Sequence, residues 1–235
     1  TSGVLTFTGN ASSTGRITTT SGNMPFSGTL QNNGVFDIGS GTATTTGAFT
    51  NTSSTANGTG TLSIAGNFDN SSPGTYTTST TSILRFGGAS AQVVTLTSTL
   101  FPQNVSSTKS AGSVSFSGGA MSVVNNLDMN GTGGGLTMLT NALTVAGATA
   151  MNLGNSVTST SGVLTFTGNV TSTGKILSAS GNMLFSGTLQ NNGIFDTGSG
   201  TATTTGAFTN VSSTVHGTGI LSVMANLDNT GGSFT

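Results

Sequence analysis

The sequence predicts an all-β fold, a parallel β-solenoid or β-helix with coils of about 19–22 residues, from three observations. Glycines recur at a constant spacing, at Gly9, Gly28, Gly47 and Gly66, each 19 positions after the last (28 − 9). Apolar and polar residues alternate over a few positions before these glycines, which is the pattern of a short strand with one buried face. No segment places apolar residues at i, i+3, i+4 and i+7 over the roughly ten positions that a helix needs.

Each coil is expected to contain three short strands in a fixed order. The first is an alternating apolar pair directly before the glycine, such as Leu5 and Phe7. The second carries the apolar position after the glycine, such as Leu30, and the third is centred on an apolar residue such as Phe36. The triplets NNG and GSG suit the corners between strands, because Gly and Asn adopt positive φ at little steric cost.

A long repeat contains the shorter one. Residues 1–76 match residues 160–235 at about 70% of positions. The stretch FSGTLQNNG at 26–34 returns unaltered at 185–193, which is 159 positions later (185 − 26). We therefore divide the chain into a first long repeat unit, 1–159, and the start of a second, 160–235.

The spacing of the glycines loosens in the middle of the chain. Between Gly66 and Gly168 the same local pattern recurs around Gly88, Gly118 and Gly147, and the successive steps are 22, 30, 29 and 21 positions. We therefore expect irregular, longer coils over about 88–147. The regular series then recovers in the second copy, at Gly168, Gly187 and Gly206, with Ala225 in the fourth place.

A tandem of β-sandwich modules is the structural alternative, since short strands with frequent turn signals also describe sandwiches. The regular spacing of glycines favours the solenoid, because like residues of successive coils then stack on one another. Disorder is disfavoured by a hydrophobic content of 33% that follows the period.

The composition removes several classes of partner. Only 4% of the residues are charged and the net charge is −1, so we expect no nucleic-acid binding and no polybasic contact with a membrane. The absence of Cys excludes disulfides and thiolate metal sites. No apolar run approaches the roughly 18 residues of a membrane span. Because the chain ends partway through a repeat, we expect it to be a segment of something longer.

The ionisable residues predict no catalytic, cofactor-binding or metal site, so we expect no enzymatic activity and no cofactor. The single His216 replaces Asn57 of the first copy, and no Ser has a His and an acid that recur with it. The Asp residues occupy different positions within their coils and lack the order of calcium-binding β-rolls, which predicts corner or surface roles. They are Asp37, Asp69, Asp128, Asp196 and Asp228.

Two surface ion pairs are predicted between neighbouring coils. Arg16 lies one coil before Asp37, and its second-copy counterpart Lys175 lies one coil before Asp196. Such exposed pairs contribute about 0–1 kcal/mol to stability. We interpret these charges as structural surface contacts and not as ligand-binding groups.

A file of small hydroxyl groups is predicted on the outward side of the strands that precede the glycines. Its members would be Thr6 and Thr8, Thr44 and Thr46, Ser115 and Ser117, Thr165 and Thr167, and Thr203 and Thr205. Stacked over the coils, they resemble the Thr-x-Thr face of ice-binding solenoids. Residues of other kinds interrupt the file at Pro25, Ala65, Arg85, Leu184 and Met224. Exposed strand positions also favour β-branched Thr in any protein, whatever its function.

Two segments carry a family resemblance. GTLQNNGVFDIGSGTATTTGAFTN at 28–51 and SILRFGGASAQVVTLTSTLFPQNV at 82–105 resemble the Asn/Gly/Thr-rich tandem repeats of giant surface proteins of gliding Bacteroidota-type bacteria. The resemblance implies a secreted, type IX-exported adhesin, surface fibre or attachment appendage, located outside the cell or on its surface. It supplies no catalytic or binding residues.

The expected function is therefore structural. We expect a segment of a long extracellular β-solenoid shaft that acts as a surface fibre, adhesin or attachment appendage and assembles laterally. Its expected partner is itself, in a filament or bundle, with cell-surface or glycan targets as further candidates. The alternative is an ice- or glycan-binding β-solenoid module that uses the Thr/Ser face.

Overall fold

The computed structural model describes residues 3–56, 58–72 and 74–235. Within these ranges the regular secondary structure is β-strand throughout, with no helix. The chain winds in three-sided coils, and all pairs between named strands of successive coils are parallel. The all-β solenoid prediction is thus confirmed. The sandwich alternative is wrong, because sandwiches are built from antiparallel strands.

Face A is an eleven-stranded sheet with one strand in each coil. Its strands, in stacking order, are Met24–Phe26, Thr42–Thr45, Thr61–Ile64, Ile83–Phe86, Asn104–Ser107, Leu127–Met129, Thr149–Met151, Val170–Ser172, Leu189–Asn191, Phe208–Asn210 and Leu227–Asp228.

Face B is a twelve-stranded sheet, so the solenoid has about twelve turns. Its strands are Ala11–Ser13, Leu30–Asn32, Phe49–Asn51, Phe68–Asn70, Gln92–Leu96, Ser113–Ser117, Gly134–Thr137, Asn155–Ser159, Lys175–Ser178, Ile194–Asp196, Thr214–His216 and Ser233–Phe234.

Face C is divided between two sheets. The four-stranded sheet contains Arg16–Thr18, Val35–Asp37, Ser54–Ala56 and Thr75–Thr77. The six-stranded sheet contains Met121–Val123, Leu143–Val145, Leu164–Phe166, Met183–Phe185, Thr201–Thr204 and Ile220–Val223. In the coil between the two sheets, Leu100 lies on face C and makes a single parallel bridge to Met121.

The core lies inside the coils because alternate residues of each strand point inward. In the strand Met24–Phe26, both Met24 and Phe26 are buried while Pro25 faces outward. Equivalent aromatic rings stack along the axis, as in Phe49 and Phe68, whose ring centroids lie 5.6 Å apart with planes 3° from parallel. Each such buried side chain contributes about 1.5–3 kcal/mol relative to an exposed one.

The corners hold glycine because the backbones of successive coils touch there. The Gly47 amide donates a hydrogen bond to the Gly28 carbonyl at 3.1 Å. A Cβ on Gly47 would lie 2.8 Å from the carbonyl carbon of Gly28, and one on Gly66 would press against the carbonyl carbon of Gly47. The predicted stacking of residues 28, 47 and 66 is therefore confirmed.

Coil lengths differ between the ends and the middle. Partners on face A are 19 positions apart (43 − 24) from Met24 to Leu62 and again from Val170 to Leu227. Between Leu62 and Val170 the register steps are longer, at 21 or 22 positions. Face B has one step that is longer still, from Phe68 to Val94, which is 26 positions (94 − 68).

The expectation of irregular, longer coils that span the full glycine steps over 88–147 is corrected by this register. Gly88 lies at the corner between faces A and B, Gly118 at the corner between B and C, and Gly147 at the corner between C and A. The steps from Gly88 to Gly118 and from Gly118 to Gly147 therefore each span one turn plus one further face. Four thirds of a 22-residue turn is about 29 residues, so the spacing reflects a change of face and not a longer coil.

The two copies of the long repeat consequently lie on different faces. Met24–Phe26 lies on face A, but its second-copy counterpart Met183–Phe185 lies on face C. Seven register steps lead along face A from Met24 to Val170, and two further faces lead on to Met183. The long repeat unit therefore makes seven and two-thirds turns, and each copy is rotated by one face relative to the other.

Replacing a corner glycine is expected to destabilise the coil only where another coil lies beneath it. In Gly34→Ala the new Cβ would press against the Gly15 carbonyl, whereas in Gly15→Ala it would meet open space. We expect the free energy of unfolding to fall by about 1–3 kcal/mol in the first variant and to change little in the second. Urea unfolding followed by circular dichroism measures both. Equal stability of the two variants would contradict backbone contact at this corner.

Candidate interaction surface

The Asp side chains shape corners, as the sequence predicted. Asp37 Oδ1 accepts a hydrogen bond from the Gly39 amide at 3.1 Å, and Asp196 Oδ1 accepts one from the Gly198 amide at 2.7 Å. Both glycines have positive φ, 60° and 53°, which explains why the GSG corner needs glycine at its first position. No group of three or more His, Cys, Asp or Glu that could hold a metal ion occurs within the described ranges.

The remaining Asp residues make similar short-range contacts. Asp69 Oδ1 accepts a hydrogen bond from the Ser71 amide at 2.9 Å, and Asp228 Oδ1 accepts one from the Thr230 hydroxyl. Asp128 Oδ2 accepts one from Asn130 Nδ2 at 3.2 Å, on the outward side of face A.

One of the two predicted ion pairs is formed. Arg16 and Asp37 lie 3.3 Å apart on the surface, which confirms the first-copy pair. The predicted pair of Lys175 with Asp196 is wrong. Asp196 lies directly opposite His216 in the next coil, and the His216 Nδ1 atom approaches its carboxylate at 3.3 Å. The register thus places the imidazole, which replaces Asn57 of the first copy, nearest to this carboxylate; Asn57 itself lies outside the described residues.

The predicted continuous file of hydroxyl groups does not form. Thr44 lies on face A, Ser115 on face B, and Thr165 and Thr203 on face C. The physical reason is the change of face in the middle of the chain, which moves equivalent strands to different sides of the solenoid.

Face C nevertheless carries a shorter file of its own. Register pairs align six outward positions of the six-stranded sheet, and five of them are hydroxyl residues. In stacking order they are Ser122, Thr144, Thr165, Leu184, Thr203 and Ser222. The exposed Leu184 interrupts this file at its fourth coil.

Buried asparagine ladders are a feature that the sequence reasoning missed. Asn32 Nδ2 donates to Asn51 Oδ1 at 2.9 Å, and Asn51 Nδ2 donates to Asn70 Oδ1 at 2.7 Å. In the second copy, Asn210 accepts from Asn191 at 2.8 Å and donates to Asn229 at 2.7 Å. The available signal was the recurrence of Asn four positions (32 − 28) after Gly28, Gly47 and Gly66, and again after Gly187 and Gly206. Except for Asn229, which is exposed at the end of the second ladder, these side chains close the corner from inside and are not available to a ligand.

The Asn51 side chain is expected to contribute strongly to stability. Its Oδ1 also accepts from the Thr55 hydroxyl at 2.9 Å, and its Nδ2 also donates to the Thr75 carbonyl at 3.1 Å. Asn51→Leu would leave buried partners without hydrogen bonds, so we expect the free energy of unfolding to fall by about 1–3 kcal/mol. Gln31→Leu, on an exposed position of the same face, is the control and should change it by less than about 0.5 kcal/mol. Thermal and urea denaturation test this, and a larger effect at Gln31 would contradict the ladder's role.

A buried lysine is the second missed feature. Lys109 is fully buried, and its Nζ donates to the Ser90 carbonyl at 2.7 Å, to Gln92 Oε1 at 3.1 Å and to the Gly87 carbonyl at 3.4 Å. Gln92 Nε2 in turn donates to the Gly66 carbonyl. This cluster fills the corner at the longest step of face B, where the chain bulges over 87–91. Because Lys109 is enclosed, we interpret it as a structural residue that fills this corner.

Burial lowers the pKa of Lys109 below its ordinary value of 10.5, because desolvation penalises the charged ammonium. Between the lowered pKa and 10.5, the unfolded state binds more protons than the folded state. The free energy of unfolding contributed by this group therefore rises as the pH rises toward 10.5.

In Lys109→Met, the rise of the free energy of unfolding toward pH 10.5 should be absent. In Lys175→Met, which replaces an exposed lysine, this rise should remain. Urea unfolding of the unaltered chain and both variants, from pH 7 to about pH 10.5, measures the difference. The titration of other groups changes the free energy of unfolding of all three proteins equally, so it cancels when their pH profiles are compared. Parallel pH profiles for the unaltered chain and Lys109→Met would contradict a perturbed lysine.

Comparisons of this chain with protein-family models, with curated proteins and with solved structures found no match. In the part of the chain that the structure describes, there is also no helix with the length and apolarity needed to cross a membrane.

Proposed function

We propose that this chain is a structural segment of a long extracellular β-solenoid shaft, acting as a surface fibre, adhesin or attachment appendage. The observation that carries the proposal is the unbroken stacking of coils across the junction of the two long repeat units. Asn155–Ser159 ends the first unit and pairs in register with Lys175–Ser178 of the second. A further repeat unit can stack on the previous one with the same pairing and without a domain boundary. Each added unit then lengthens one continuous rod.

The surface supports lateral assembly of such rods. With 4% charged residues, the chain has little electrostatic repulsion to keep neighbouring shafts apart. The resemblance of its Asn/Gly/Thr-rich segments to repeats of exported surface proteins supports an extracellular location. Labelling of intact cells with an antibody against the chain tests that location, and labelling only after permeabilisation would contradict it.

The shaft proposal predicts particle dimensions. About twelve turns at roughly 4.8 Å each give a rod of roughly 55–60 Å. Extension of the chain by one further copy of residues 1–159 adds seven and two-thirds turns, so the rod should lengthen by roughly 37 Å at constant diameter. Negative-stain electron microscopy of both chains measures this. A second separate particle joined by a linker would contradict a continuous shaft.

Lateral assembly predicts sensitivity to outward charge. Thr44 and Thr203 lie on outward positions of faces A and C. Thr44→Lys with Thr203→Lys should reduce the fraction of large species in analytical ultracentrifugation, without changing the unfolding transition by more than about 0.5 kcal/mol per site. Sedimentation of the unaltered chain as a single monomeric species at all concentrations would contradict the assembly.

The hydroxyl file on face C favours ice binding as a second candidate function. Thr144 and Thr165 are directly opposite one another in successive coils, and Thr203 follows beyond Leu184. A thermal hysteresis measurement tests this candidate. Activity should increase in Leu184→Thr, which completes the file, and the absence of hysteresis in both proteins would remove ice binding.

A further inference from the structure

A groove of about 590 Å³ lies on the outward side of face A, in the middle of the solenoid. Its floor includes Arg85, Ser106 and Asp128, which register pairs place one above another in three successive coils. Volumes of this size are typical of small-molecule sites. The groove lies over coils of the longer register step, and the segment 78–82 and the corner at 124–126 contribute to its lining.

One wall is fixed by a contact that spans two coils. Asn125 Nδ2 donates to the Thr80 carbonyl at 2.9 Å and to Gln103 Oε1 at 3.3 Å. The segment 78–82, which connects face C to face A, is thereby held against the corner at 124–126. A wall held by hydrogen bonds is ordered before a ligand arrives, which reduces the entropy lost on binding.

The floor carries a cation that the protein leaves without a partner. Arg85 lies in no ion pair in the described part of the chain, and its Nε is buried without a hydrogen-bond partner there. Asp128 is two coils away, roughly 10 Å along the axis, which is too far for a direct pair. By contrast, Arg16 is paired with Asp37 and Lys109 is buried. An unpaired guanidinium in a recess is a site for a carboxylate, which can accept two parallel hydrogen bonds from it.

The other polar groups around the groove are held in place and suit hydroxyl groups. Asn104 Nδ2 donates to the Ser82 carbonyl at 3.0 Å, and Asn126 Oδ1 accepts from the Ala148 amide at 2.9 Å. Each amide retains hydrogen-bonding capacity for a ligand. Ile83 adds an apolar surface to the lining, against which the C–H face of a sugar ring can pack.

We propose that this groove binds an acidic polysaccharide along the solenoid axis, with Arg85 pairing a uronate carboxylate and Asp128 accepting hydrogen bonds from ring hydroxyls. Arg85 is the single cation among the lining residues, which argues against nucleic acid as the ligand, because binding to its backbone requires several phosphate contacts. Ile83 and Val105 are the only large apolar residues of the lining, which argues against an amphipathic peptide, because such a peptide needs a row of hydrophobic contacts. This binding function goes beyond the shaft and does not depend on it, because a groove on one isolated segment suffices.

The test is a titration of the whole chain with oligogalacturonate, oligoglucuronate and a neutral glucan oligomer of equal length, followed by calorimetry. We expect saturable binding of at least one acidic oligomer, weaker binding at higher salt, and none of the neutral oligomer. Arg85→Gln should weaken the binding by about tenfold or more, since hydrogen bonds between charged groups are strong. Arg16→Gln, an arginine outside the groove, should leave it unchanged.

The contrary outcomes are equally specific. No saturable binding of either acidic oligomer, equal binding of the neutral oligomer, or equal effects of the two arginine variants would each overturn the proposal. Competition by sodium acetate at a matched carboxylate concentration would also overturn it, since the site would then recognise an isolated anion. An unchanged unfolding transition for Arg85→Gln separates loss of binding from loss of fold, and microscopy of the same sample reports on the shaft independently.

Discussion

Hydrogen bonding between successive coils is the constraint on which the rest of the structure depends. The strands are short, and isolated segments of such length cannot offset the entropy of ordering their backbones. Parallel pairing in register offers each coil a neighbour above and below. It also brings corner backbones into contact, which is why a Cβ on Gly34 would collide with Gly15. Glycine at the corners and apolar residues inside are thus two consequences of one geometry.

The same constraint explains why equivalent strands of the two long repeat units lie on different faces of the solenoid. A unit of seven and two-thirds turns returns each strand one face away from its previous position, so three units make a whole number of turns, 23. An outward feature of one unit, such as the strand Met24–Phe26, therefore reappears on a different side of the rod in Met183–Phe185. A longer solenoid built from such units would present each outward feature in all three directions around its axis.

Features that recur at the coil period could be predicted from the sequence, because stacking converts periodicity directly into contact. Phe68 above Phe49 and Gly47 above Gly28 are examples. The hydroxyl file could not be predicted, because face membership depends on the summed lengths of all intervening turns. The spacing from Gly118 to Gly147 does not by itself reveal whether the chain between them makes one long turn or one ordinary turn plus one further face. Lys109 was also missed, since its burial depends on a local bulge at a single coil.

Differences between the two copies indicate where this fold tolerates chemical change. Pro25 and Leu184 occupy equivalent outward positions, and their neighbours Phe26 and Phe185 are both buried and identical. An outward residue touches its axial neighbours but not the core, so its replacement changes the surface at little expense in stability. A lone arginine such as Arg85 can therefore enter face A without disturbing the stack. Recognition groups on this solenoid are then expected at outward strand positions, as in the groove of the middle coils, where the core continues beneath them.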